Sequence, residues 1–280
     1  MRKLPLLLTF ALLTLTTAIA SAQSIPDVSD LPTGRRPNSI HVWGAFAAGE
    51  NPIVFGAQIK PYLKMPWGEG KTLLTSDSHW RLGGHFTLSP AYSRTAILIG
   101  VSPLLICDLD LHYGPGFNTY HVAYDSFDDE YDPLDLGESE DYVGIYHQAT
   151  ANLTLKAAVG PIAMLGMNDA DYLHSDEYHF NWDNATIVKT GWVVRSKTFL
   201  LYEFVKDWRA FVDYEYLQYF DNEFETHLLG AGIFVANQIF GDYSWLLQAG
   251  YHLDHPKFEG IKIWTVFMRE WDFPLARKLN

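Results

Sequence analysis

One cysteine, Cys107, is all this chain of 280 residues has. An intramolecular disulfide framework is therefore excluded, and stability must come from burial or from a closed hydrogen-bonded sheet. Basic residues are scarce too: 20 Lys and Arg stand against 33 Asp and Glu, a formal net charge of −13. Phosphate binding needs a basic patch and none is visible, so nucleic acid is excluded as a partner. Past the first 22 residues no apolar run reaches the roughly 18 residues a membrane helix needs. The nearest, Thr95 to Cys107, is short and broken by Ser102-Pro103, which excludes a helical span. Neither a helix-period segment of useful length nor an internal repeat stands out. The nucleophile-elbow pattern Gly-x-Ser-x-Gly and the zinc pattern His-Glu-x-x-His are both missing, and no cofactor is implied.

What is present begins with an export signal. Arg2 and Lys3 give a positive start, Leu4 to Ala20 is apolar, and Ala20-Ser21-Ala22 offers small residues at the positions a signal peptidase reads. Cleavage is expected after Ala22, with no Cys nearby for lipid attachment.

From Ile40 to Phe273 the dominant signal is alternation with period two. In His79 to Pro90, Trp80, Leu82, Gly84, Phe86 and Leu88 oppose His79, Arg81, Gly83, His85, Thr87 and Ser89. From Tyr243, the residues Trp245, Leu247, Ala249, Tyr251 and Leu253 oppose Ser244, Gln248, Gly250, His252 and Asp254, with Leu246 breaking the split. From Trp208, Ala210, Val212, Tyr214 and Tyr216 oppose Arg209, Phe211, Asp213, Glu215 and Leu217. Weaker alternation marks Ile40 to Ala48, Ile53 to Leu63, Leu104 to Tyr113, Ala185 to Arg195, Thr198 to Val205, Leu228 to Ala236 and Ile261 to Phe273. Each has about the 9 to 11 residues of a tilted membrane strand. Turn signals at Gly49-Glu50-Asn51-Pro52, Ser89-Pro90, Ser196-Lys197, Asp221-Asn222, Gly241-Asp242 and His255-Pro256 favour short hairpins. Longer connections are expected over Lys64 to Ser78, Gly114 to Asp141 and Asn168 to Asp183.

The class is all-β, with about 12 strands, uncertain by two. Closure of such a sheet removes two edges that neither helix nor disulfide would otherwise protect. Aromatic residues make up 15% of the chain, and Trp80, Tyr92, Trp208, Tyr243, Trp271 and Phe273 fall near strand ends, as the girdles of a membrane barrel require. The closing segment, with Ile261, Ile263, Thr265, Phe267 and Trp271 on one face and an aromatic at its end, resembles the terminal strand of bacterial outer-membrane β-barrel proteins, although Pro274 to Asn280 follow it. The resemblance is one of pattern and implies an antiparallel transmembrane β-barrel in the outer membrane. It divides the chain into a signal (1–22), an N-terminal extension (23–37), a barrel (38–273) and a tail (274–280). The implied partners are outer-membrane lipid and lipopolysaccharide, the barrel-assembly machinery, and small polar solutes or divalent cations.

On the face opposite the apolar one, Lys60, Arg81, Asp108, Asp110, His112, Lys189, Arg195, Glu203, Arg209, Asp213 and Glu215 are the lumen candidates. Opposed charges across an interior can select polar solutes in a pore, or pair and plug it. Both outcomes stay open at a strand number between filled small barrels and open porins. Asp108, Asp110 and His112 share a face at i, i+2 and i+4, a set able to bind a divalent metal or pass protons, or simply to line a hydrated wall. Nine carboxylates, Asp125, Asp128, Asp129, Glu130, Asp132, Asp135, Glu138, Glu140 and Asp141, crowd one segment without Lys or Arg. They lack the spacing of a preorganised calcium loop and read as a solvated surface loop. The His-x-Ser pair of outer-membrane lipid A deacylases has only His85-Phe86-Thr87 as its nearest match. Asp171 and His174 resemble the acidic and His pairs of outer-membrane proteases, without specific spacing. The leading expectation is a non-enzymatic solute channel or surface structural and adhesion protein. The alternatives are an exported soluble β-barrel or sandwich that binds glycan or lipid, and an outer-membrane hydrolase.

Overall fold

The computed structural model describes residues 38–275 apart from 51–53, 69–71, 73, 90–91, 119–143, 182–185, 221–223, 240–241 and 254–259. Twelve strands follow one another: β1 (Ser39–Glu50), β2 (Val54–Pro66), β3 (His79–Leu88), β4 (Tyr92–Leu104), β5 (Cys107–Asn118), β6 (Gly144–Val159), β7 (Ile162–Asn181), β8 (Thr186–Val205), β9 (Trp208–Tyr219), β10 (Phe224–Ile239), β11 (Tyr243–His252) and β12 (Gly260–Pro274). Each pairs antiparallel with its sequence neighbours, and β1 pairs with β12 from Ser39↔Pro274 to Glu50↔Ile263, so the sheet closes into a barrel. Closure satisfies the ladder of both terminal strands, and an even strand number puts both chain ends on one side.

Connections on the side of the chain ends are tight. Leu105-Ile106 joins β4 to β5, Gly160-Pro161 joins β6 to β7, and Lys206-Asp207 joins β8 to β9. Gly160 (φ 56°) and Asp207 (φ 66°) take the left-handed conformation these turns need, one through its missing Cβ and the other as a short polar side chain that tolerates it. The β2–β3 connection is longer and is tied down: Leu105 N donates to Leu74 O at 2.7 Å and the Ser78 hydroxyl to Pro103 O at 2.7 Å. The 119–143 connection leaves from the opposite side, where β7 and β8, at 20 residues each, are the longest strands.

Four expected boundaries shift, the first at Gly114 to Asn118, expected as the start of a connection but paired with β6 as the end of β5. Asn168 to Asp183, read as a connection, is mostly β7; its Asn, Asp and Ser residues mimic loop composition but lie in a paired strand. Ser196-Lys197, read as a turn, lies inside β8, where Ser196 opposes Asn168 and Tyr216 and Lys197 opposes Met167 and Glu215. Between β4 and β5 the chain reverses at Leu105-Ile106, inside the segment Leu104 to Tyr113 expected as one strand.

Polarity is inverted relative to a water-soluble domain. Among the described residues the buried set holds eighteen polar or charged side chains against twelve apolar ones, while 37 large apolar side chains are exposed. Within each strand the exposed ones share one parity, apart from Val205 at the end of β8. On β4, Ile97 and Ile99 face out while Arg94, Ala96, Leu98 and Ser102 face in. Leu88 (66% exposed), Ile97 (63%) and Ile261 (65%) show how open the outer wall is. Each large apolar side chain left in water forgoes roughly 1.5–3 kcal/mol. Dozens of them together exceed a typical folding stability of about 5–15 kcal/mol, so the outer wall calls for an apolar surrounding.

Candidate functional site

The outer wall is banded. Trp80, Tyr202, Phe204, Tyr243, Trp271 and Phe273 lie toward the side of the chain ends, and Tyr113, Phe117, Tyr172, Trp192 and Tyr251 toward the other. Leu82, Ile97, Ile99, Leu109, Leu111, Leu200, Val212, Ile233 and Leu247 fill the space between. Aromatic rings above and below an aliphatic band match the two boundaries of a bilayer. Tyr92 departs from expectation: it shares the parity of Arg94, faces inward and is buried.

The inner wall carries a charged belt. Following the register sideways, Lys64 lies opposite Arg81, Arg81 opposite Gly100, Gly100 opposite Asp110, Asp110 opposite Asn152, Asn152 opposite Asp169, and Asp169 opposite Arg195. One lateral row therefore runs across β2 to β8. Arg81 reaches over β4 to Asp110 at 3.0 Å and lies 3.6 Å from Asp108. Gly100 makes the reach possible, because a Cβ there would stand 2.0 Å from the Asp110 carboxylate and 2.7 Å from Arg81 Nε. Asp108 also pairs with Lys156 and accepts from the Ser102 hydroxyl, which lies 3.3 Å from His79 Nε2. Further round, Arg195 places Nε and Nη2 at 3.0 and 2.6 Å from one oxygen of Asp169, whose other oxygen accepts from Asn152. Asp171 accepts from Thr150 at 2.5 Å and Gln148 at 2.8 Å, and Arg94 donates to Thr150 at 3.0 Å.

A second network lines β8 to β11. Lys197 lies 3.1 Å from Glu215, 3.5 Å from Asp213 and 3.3 Å from the Gln248 carbonyl oxygen. Gln248 returns a 2.7 Å hydrogen bond to Asp213 across β10. Gly230 sits under that bridge as Gly100 sits under the other, its would-be Cβ 2.4 Å from Asp213 and 2.6 Å from Gln248. Near the chain ends Glu203 pairs with Arg209 at 2.8 Å, and His41 lies 3.2 Å from Glu270 and 3.0 Å from Asp272 at the closing seam.

The structure places Lys60, Arg81, Asp108, Asp110, His112, Arg195, Glu203, Arg209, Asp213 and Glu215 on the inward face. Lys189 belongs to β8, but its side chain lies outside those described, as does the whole acidic segment Asp125 to Asp141. The set Asp108, Asp110 and His112 shares a face without converging. The carboxylates turn to Arg81 and Lys156, while His112 packs edge-on against His85 at 4.9 Å between ring centroids. Among the described residues no group of three or more His, Cys, Asp or Glu side chains is placed to hold a metal ion. Asp171 and His174 point to opposite faces of β7, so they cannot act as a pair.

Sequence reasoning missed Lys64, Arg94, Lys156, Asp169 and Lys197, and paired Asp171 with His174 rather than with Thr150 and Gln148. Parity would have found Lys197, two positions from Arg195 on one face, had Ser196-Lys197 not read as a turn. The interior is also less purely polar than expected. Tyr146, Leu173, Val193, Leu217 and Tyr219 form a buried apolar cluster inside the wall of β6 to β9, because inward side chains of paired neighbouring strands lie within contact of one another.

No family model matches the chain, and no curated protein matches it in sequence. Similar solved structures include the translocator domain of the autotransporter NalP from Neisseria meningitidis, at 12% identity and a TM-score of 0.40, covering 92% of this chain and 97% of that one. The COG4313 outer membrane channel from Pseudomonas putida F1 shows 11% identity and a TM-score of 0.40, covering 88% and 100%. The NanC porin shows 7% identity and a TM-score of 0.39, covering 84% and 100%. At these scores the fold rests on the strand pairing of this chain itself.

Proposed function

We propose that the chain is a bacterial outer-membrane barrel whose charged inner wall forms a narrow passage for small polar solutes and ions. The observation that carries this reading is the inversion of polarity: an outer wall of aliphatic side chains between two aromatic bands, and an inner wall of paired charges. A soluble barrel or sandwich would have to leave that outer wall in water. Narrowness follows from the inner wall, where Arg94, Asp171 and Asp213 keep only 4%, 3% and 2% of their surface. A wide aqueous channel would leave such groups far more exposed. Lateral pairing keeps the charges along the wall, and the described inward-facing acids and bases are close to balanced. The strong negative charge enters instead with the 119–143 connection, which leaves β5 at the side opposite the chain ends.

Planar-bilayer recording on the purified, folded protein tests this. The expected result is a small ohmic conductance with a reversal potential favouring cations in a salt gradient, the preference falling as ionic strength rises and screens the carboxylates. Absence of conductance from folded protein would overturn the passage and leave a structural or adhesive role for the same barrel.

A further inference from the structure

Among the described strand residues, Arg269 is the one Lys or Arg on the outward face. It alternates with Phe267 and Trp271 on the outward face of β12, at the end of that strand near the chain termini. Its guanidinium carbon lies 5.0 Å from the Tyr243 ring and 5.1 Å from the Trp271 ring. Gly44 on β1 supports this arrangement, because a Cβ there would come 3.2 Å from the Trp271 ring. A single arm, Nη2, meets a carboxylate, that of the exposed turn residue Asp242 at 3.1 Å. Nε is buried and without a hydrogen-bond partner among the described residues, so it is the rest of the guanidinium, on a side chain 27% exposed, that can meet a ligand. A guanidinium carries five N–H donors, so a cation held by two rings at the boundary of an apolar band is left with donors for another oxygen anion.

We propose that Arg269, Tyr243 and Trp271 form a binding site for the phosphodiester headgroup of a glycerophospholipid, a reading that rests on the membrane placement above. The rings fix the guanidinium at headgroup depth and the phosphate oxygens accept from it, as charge-assisted bonds between Arg and phosphate do. The acyl chains then lie along the outward side chains Phe267, Leu247 and Ile263. Asp242 competes with the phosphate for the same cation. The side of the barrel decides the source: the site lies with the short turns and the chain ends, the inner-leaflet side of an outer-membrane barrel, whereas lipopolysaccharide occupies the other leaflet.

Native mass spectrometry of the detergent-purified barrel, titrated with phosphatidylglycerol and in parallel with diacylglycerol, reads the site. The intact protein is expected to retain at least one phosphatidylglycerol and little diacylglycerol. Arg269→Gln should weaken that retention by about tenfold or more. Asp242→Asn, which removes the competing carboxylate and keeps the arginine, should strengthen it. Lys206→Gln, an exposed cation in a turn on the same side, should leave it unchanged. Equal loss in R269Q and K206Q, or equal retention of both lipids, overturns the proposal. Heat-dependent gel mobility of each variant shows that it is folded. If R269Q does not fold, unchanged or reduced retention by D242N overturns the proposal by itself. Membrane placement is read separately by cell fractionation, so failure of that reading is distinguishable from failure of this site.

Discussion

At the scale of single residues, the inner wall depends on what is missing at Gly100 and Gly230. Both glycines let a charged or amide side chain reach over a strand to its partner on the far side, and neither has a positive φ that demands glycine. Their role is space. Gly100→Ala should therefore cost about 1–3 kcal/mol, the usual range for forced overpacking, read as a lower denaturant midpoint for unfolding in lipid or detergent. Gly166→Ala is the control, since nothing lies closer than 3.9 Å to its added Cβ; its midpoint should not move. If the two variants behave alike, the bridge from Arg81 to Asp110 is not a constraint on the wall.

At the scale of elements, each strand has one face for the apolar band and one for the belt, and substitutions on the two faces have different costs. Leu111 faces out in the middle of β5 and is exposed. In a water-soluble domain Leu111→Arg would be nearly neutral. In a bilayer an arginine near the midplane costs about 2–4 kcal/mol, so the variant should refold into lipid vesicles with a clearly lower stability. Strands of this kind were legible where alternation was clean, as in β3, β9 and β11, while the turn residues expected after them, Pro90, Asp221-Asn222 and His255-Pro256, lie outside the described residues. Legibility failed where inward polar residues filled a strand. Asn168, Asp169, Asp171 and Ser175 read as a loop because composition marks loops in water, while in a barrel the same residues mark a lumen. That single error hid Asp169 and gave Asp171 the wrong partner, and with them the middle of the belt was lost. Misreading Ser196-Lys197 as a turn hid the centre of the second network in the same way. Parity does show that Asp108, Asp110 and His112 share a face, but not that Arg81 and Lys156 neutralise the two carboxylates, because register between strands is not written in either strand alone.

At the scale of the whole molecule, two walls of opposite character are held by one closed ladder, and the connection bearing nine carboxylates is attached on one side only. On this asymmetry we propose that the tight turns and chain ends face the periplasm. The central claim is that the aliphatic outer wall is covered by lipid. Its most direct test is fractionation of cells producing the full chain, followed by gel electrophoresis of the membrane fraction with and without boiling. Recovery in the outer membrane with a mobility that shifts on boiling is the result this account predicts. Recovery as a soluble periplasmic or secreted protein, with one mobility whether boiled or not, would contradict it.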